Sequence, residues 1–161
     1  MRTQNHSYSN LIAAFLFSVT TTVATSAVIS QATGPTVAGT SAETEVQETL
    51  QRYARAWYEG NASLMAEQLH PEYTRATVRR NPARTDAIDV NSGLALIDMT
   101  DRGFGRLVQP SARKHEISNV KVDGGHASAV LKLADRTEMV NLARWNNLWR
   151  VVQVLTERIE P

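Results

Sequence analysis

The sequence predicts an α+β domain: three helices in its first half, packed on a curved antiparallel sheet built mainly from its second half. Three observations carry this. Apolar residues recur at helical spacing from Val46 to Leu69. From residue 114 onward, β-type runs are separated by Asp123-Gly124-Gly125 and Asn146-Asn147, both strong hairpin turns. Within the first of those runs Ile117 and Val120 fall on opposite parities, a phase break that reads as a bulge bending the sheet.

Taken in order, Thr40-Ser41-Ala42-Glu43 fits a capping box, and Val46, Leu50, Tyr53, Ala54 and Trp57 line one face of a helix over 43–59. Such a helix is roughly 25 Å long. Gly60 suits the left-handed residue that closes it, and Asn61 suits the cap of the next. That second helix carries Leu64, Met65 and Leu69, and Pro71 disfavours helical geometry at His70, where it ends. Tyr73 to Arg79 alternates as a strand, and 80–89 is a polar loop. Asn91 or Ser92 caps a third helix with Leu94, Ile97 and Met99 partly buried, ending near Gly103. Strands then cover 114–122, 126–134, 137–145 and 148–157. In the last, Trp149, Val151, Gln153 and Leu155 share one parity, and Arg150, Val152, Val154 and Thr156 the other. Valines on both parities imply two covered faces, one against the helices and one against a second copy, a homodimer through the sheet.

Hydrophobic content of 42% and charged content of 20% fit one globular domain of ordinary core. The first 42 residues hold one formal charge, Arg2, and the run LIAAFLFSV from Leu11 is followed by small residues. This is the layout of a signal peptide over 1–32, cleaved after Ala27 or Ala32, and it implies export to a periplasm or secretion. The apolar run is shorter than a membrane span of about 20 residues, so no stable membrane anchor is expected after cleavage. Residues 33–40 read as a disordered linker, and 41–158 as the domain. The leader takes only Arg2 with it, leaving 16 residues of each sign, so the mature chain is formally neutral. Neutrality removes the footing for sequence-independent nucleic-acid binding. The absence of cysteine excludes disulfides and thiolate metal sites.

On this order of elements sit AWYEGNASLM (56–65), LHPEY (69–73), GGHASAVLKL (124–133) and MVNLARWNNLWRVVQVLTE (139–157). Together they resemble the putative lumazine-binding, polyketide-cyclase-like branch of the nuclear-transport-factor-2-like superfamily, over about 43–158. The resemblance implies a cone in which a curved sheet wraps three helices around an interior pocket. It also implies a range of functions, from isomerases and dehydratases to non-catalytic binding domains, so fold does not fix activity.

His70 is the foremost polar candidate for such a pocket, placed where helix meets strand and able to move a proton near neutral pH. Its bland alternative is a helix-terminal imidazole bonding backbone carbonyls. Trp57, Tyr58 and Tyr73 offer faces for a planar ligand, although Trp57 also fits a plain core position. Asn141 and Gln153 interrupt apolar strands, marking either a polar cavity or a solvent-facing surface. Among carboxylates, Asp98 and Asp101 read as a solvated helix face, and Glu138 as the start of a strand. Arg75, Arg79, Arg80 and Arg84 read as surface, with Arg75, two residues from Tyr73 and on its parity, able to reach a pocket mouth. Asn61-Ala62-Ser63 matches a glycosylation sequon by chance. The three isolated histidines of the domain have no metal-ligand spacing.

The primary expectation is an exported small-molecule-binding domain that takes a small apolar or planar ligand. Trp57, Met65, His70, Tyr73, Met99, Asn141 and Gln153 would line its pocket, with no cofactor, metal or catalytic residue assigned. The alternatives are a cofactor-independent lyase or isomerase working through His70, with Asp98 as its base, and a dimeric interaction module with a vestigial pocket.

Overall fold

A computed structural model describes residues 41–80 and 85–159, with side chains through Glu157. The leader expected over 1–32, the linker expected over 33–40 and Arg84 lie outside the described residues. Helix α1 spans Ala42–Glu59. Its cap is Ser41, one residue later than the capping box places it, with the Ser41 hydroxyl accepting from the Thr44 amide at 3.3 Å. At the far end Gly60 adopts φ 62°, ψ 36°, and the amides of Gly60 and Asn61 donate to the carbonyls of Trp57 and Ala56. This left-handed closure satisfies carbonyls that a helix end otherwise leaves orphaned. The Asn61 side chain then accepts from the Leu64 amide at 2.9 Å and starts α2, Ala62–Gln68. Two adjacent residues thus turn the chain sharply between helices.

Strand β1 begins at Leu69 and runs to Arg80, so the second helix is a residue or two shorter than its apolar stripe suggests. Residues Ala87–Ser92 form β2, half of which was expected to be loop. It pairs antiparallel with β1 at the sheet edge and leaves Ile88 and Val90 exposed. Helix α3, Gly93–Asp101, is capped by Ser92 and buries Gly93, Leu96 and Thr100. Leu94, expected to be partly buried, is 79% exposed, and Leu96 takes the inward position. Two short 3₁₀ turns, Phe104–Leu107 and Pro110–Ala112, lead to β3 (Glu116–Asp123), β4 (His126–Lys132), β5 (Thr137–Trp145) and β6 (Leu148–Ile159).

The six strands lie in the order β2-β1-β6-β5-β4-β3, an open, curved sheet. Every neighbouring pair is antiparallel except β1 with β6, which is parallel. The bulge expected in β3 is present: register shifts between Ser118 and Lys121, with Asn119 at φ 52°. The β5–β6 turn places both Asn146 and Asn147 at positive φ, as a tight hairpin with right-handed strand twist requires. A second bulge falls in β6, where Asn141 opposes Gln153 but Leu142 opposes Val151. Val152 is the extra residue. It reverses the strand's phase, so Trp149 and Val151 point inward and so do Val154 and Thr156, while Gln153 and Leu155 point outward. The single parity expected for β6 is corrected accordingly.

The core lies between α1 and the concave sheet face: Val46, Leu50 and Tyr53 from the helix meet Leu131, Val140, Val151 and Val154 from the strands. The 3₁₀ turn at Phe104–Leu107 presses against α1 so closely that a Cβ on Gly105 would collide with the Trp57 carbonyl oxygen. No helix among the described residues is long and apolar enough to cross a membrane.

Candidate functional site

Strand parity places Tyr73, Arg75 and Thr77 of β1 on the concave face, and Glu138 and Val140 of β5 on the same face across β6. Arg136 stands two residues before Glu138, so it also faces inward, where β5 leaves its turn from β4. Glu138 is fully buried. Its Oε1 accepts from Arg136 Nε at 2.6 Å and lies 3.7 Å from Arg75 Nη2. The two arginine side chains are 8% and 12% exposed. Arg136 is further fixed by Asp135, at 3.0 Å, and by the Trp57 ring, whose centroid is 4.5 Å from its guanidinium carbon. Burial opposes the charge on Arg136, but the attraction of Glu138 outweighs it and holds the guanidinium above its usual range. Tyr53 and Tyr73 stand buried behind this group, and burial, with the Glu138 charge second, raises both phenols well above their ordinary range.

In front of the arginines opens a cavity of about 800 Å³. Its lining includes the polar side chains of Trp57, Arg75, Arg136 and Thr156 and the apolar ones of Leu96, Met99, Phe104 and Leu107. The mouth carries opposed charges that satisfy one another: Arg79 pairs with Asp89, and Arg80 with Asp86 and Glu157. Several buried polar atoms lack a hydrogen-bond partner: Trp57 Nε1, Arg75 Nε and Arg136 Nη2 on residues that line the cavity, and Glu138 Oε2 on one that does not. Buried polar groups are paired in the great majority of cases, so this concentration marks the place where the fold leaves bonding capacity unspent.

A second hollow of about 710 Å³ lies outside α1, lined by Glu48, Arg52, Arg55, Arg113 and His115 among others. Its aromatic residue, Tyr58, is already satisfied, donating to the Lys114 carbonyl at 2.8 Å and accepting from the Ala134 amide at 2.9 Å. The concave cavity is therefore the stronger site.

Of the residues expected to line a pocket, Trp57 and Met99 do so. Met65 is fully buried in the core, and Tyr73 packs behind Glu138 without lining the cavity. His70 is corrected: its Nδ1 accepts from the Glu72 amide at 3.1 Å, and its ring meets Trp145 edge-on at 4.6 Å, away from the cavity lining. Asn141 and Gln153 are also corrected. Both are exposed on the convex face, where they bond each other at 3.2 Å, because the Val152 bulge turns Gln153 outward. Asp98 has a side chain 64% exposed beside Arg102, which removes it as a buried base. Arg75 reaches the cavity, as its parity with Tyr73 implied. Glu138 was read only as a strand start, and Arg136 and Tyr53 were not singled out. The available signal was Arg136-x-Glu138, two opposite charges on one parity after a turn. Among the described residues no three His, Asp or Glu side chains gather as metal ligands.

A family model described as "Putative lumazine-binding" matches residues 41–155. No curated protein matches the chain. Among solved structures, an NTF2-like protein of unknown function from Shewanella baltica shares 20% identity at a TM-score of 0.56, over 70% of this chain and 89% of the other. One from Silicibacter pomeroyi shares 17% at 0.54, over 70% and 91%. An NTF2-like protein from Cytophaga hutchinsonii shares 8% at 0.51, over 74% and 99%. At these identities the structures speak for the fold alone. The three helices on a bent open sheet and the match over 41–155 agree: the chain belongs to the putative lumazine-binding family and has the fold of the NTF2-like structures.

Proposed function

We propose that this chain is an exported small-molecule-binding domain whose ligand enters the concave cavity. The observation that carries the reading is the cavity of about 800 Å³, part apolar and part polar, with unpaired polar atoms at its floor. That size and mixed lining are those of small-molecule sites. Binding is favoured over proton transfer because the histidine of the lyase or isomerase reading is bonded to backbone outside the cavity. The exported placement rests on the apolar run and small residues within 1–32.

The test is native mass spectrometry of protein purified from its source, beside a Met99→Trp variant that fills the cavity. A retained small molecule in the wild type, lost in the variant, is the expected result. Equal retention by both would place the ligand elsewhere.

We also propose a homodimer through the convex sheet face. Met139, Trp145 and Leu155 are 59%, 48% and 43% exposed there, an apolar surface that a second copy would cover.

A further inference from the structure

The unpaired atoms at the cavity floor have a sign. Three are nitrogen donors on cavity-lining residues: Arg75 Nε, Arg136 Nη2 and Trp57 Nε1. One is an acceptor, Glu138 Oε2, on a side chain that does not line the cavity. Each arginine has already committed part of its fork. Arg136 uses Nε on Glu138 and Nη1 on Asp135, leaving Nη2; Arg75 turns Nη2 toward Glu138, leaving Nε. Two buried guanidiniums therefore share one buried carboxylate, while Asp135 is half exposed and screened by water. The carboxylates at the mouth, Asp89 and Glu157, are engaged by Arg79 and Arg80. The residues that line the cavity thus leave donors unpaired, and a charged acceptor suits guanidinium best. The same lining holds Leu96, Met99 and Phe104, whose side chains are apolar.

Resting on the reading of this cavity as a ligand site, we propose that its occupant is an organic acid. One carboxylate would accept from Arg75, Arg136 and the Trp57 indole, and an apolar or flat body would lie against Leu96 and Met99. A ligand bearing an ammonium in the same place would meet two cations, with the lining carboxylates Asp89, Asp135 and Glu157 already paired to Arg79, Arg136 and Arg80.

The experiment compares three probes of one shape, 2-naphthoate, 2-naphthylmethanol and 2-naphthylmethylammonium, by isothermal titration calorimetry on the full chain. The acid is expected to bind about tenfold or more tighter than the alcohol, the range of a charge-assisted bond over a neutral one, and the ammonium weakest. Arg75→Gln and Arg136→Gln, each checked for native circular dichroism, are expected to reduce the acid's affinity about tenfold and leave the alcohol's within about twofold. Equal binding of acid and alcohol by the wild type, a comparison that needs no variant to fold, overturns the organic-acid proposal and leaves the cavity reading standing. Binding by none of the three, in protein whose source-purified form retains a ligand, overturns the acid alone; with no retained ligand either, both readings fall.

Discussion

Glu138 is the residue on which the site's architecture turns, since it pairs with two guanidiniums, Arg75 of β1 and Arg136 just before β5. Replacing it with glutamine leaves buried cations uncompensated. The expected loss is about 3 kcal/mol, read as a lower urea midpoint at unchanged slope. A loss below about 1 kcal/mol would show that the cluster is solvated rather than buried. The phenols behind it set a pH dependence. Tyr53 and Tyr73 are raised above the ordinary value of 10.0 by burial first and by Glu138 second. Above pH 10 the unfolded chain releases these protons while the folded protein keeps them. Stability is then fully present below pH 10 and falls above it, by about 1.4 kcal/mol per pH unit for each tyrosine. Urea titrations from pH 9 to 11 should show a shallower fall in Tyr73→Phe than in the wild type; identical slopes would contradict the assignment. These residues were hard to read in advance for a physical reason. The inward face of Glu138 is tolerable only because Arg75, more than sixty positions earlier, reaches across β6 to it. No local pattern around position 138 contains that partner.

Elements whose geometry is fixed by their own neighbours were legible, and those fixed by distant partners were not. Gly60 and Asn61 announce the corner between α1 and α2 because a left-handed closure and a side-chain cap are local chemistry. The β3 bulge was visible as a break in parity, since Ile117 and Val120 must both pack on the core. Strand β2 was half concealed because Ile88 and Val90 are exposed and bury nothing that periodicity could report. The β6 bulge was hidden because valines stand on both of its parities, so no phase break shows, and Gln153 was misplaced by that one residue. Asn141→Ala should accordingly change stability by less than about 0.5 kcal/mol and leave ligand affinity untouched. Gly105 is the opposite case. A methyl there collides with the Trp57 carbonyl, which is backbone and cannot yield cheaply, so Gly105→Ala should displace the 3₁₀ turn that carries Phe104 and Leu107. A loss of about 2 kcal/mol or more, with weakened ligand binding, is expected from the overpacking. Calorimetric melting beside the binding isotherm checks both effects together.

At the scale of the whole molecule, the sheet divides two tasks. Its concave face holds the arginine-lined cavity, and its convex face exposes Met139, Trp145 and Leu155. Sedimentation equilibrium at micromolar concentration should give twice the chain mass, and Met139→Lys should shift it toward the single chain; a strict monomer throughout removes the dimer. A ligand on the concave side and one on the convex side are separated by the three tryptophans of the chain. The Trp57 indole is unpaired at the cavity, Trp149 donates to Glu45 Oε2 at 3.1 Å, and Trp145 stands exposed beside His70. Titrating ¹⁵N-labelled protein with 2-naphthoate and following the indole N–H resonances measures this directly. A saturable shift of Trp57 with Trp145 unmoved is expected; a shift of Trp145 with Trp57 unmoved would put the ligand on the convex side instead.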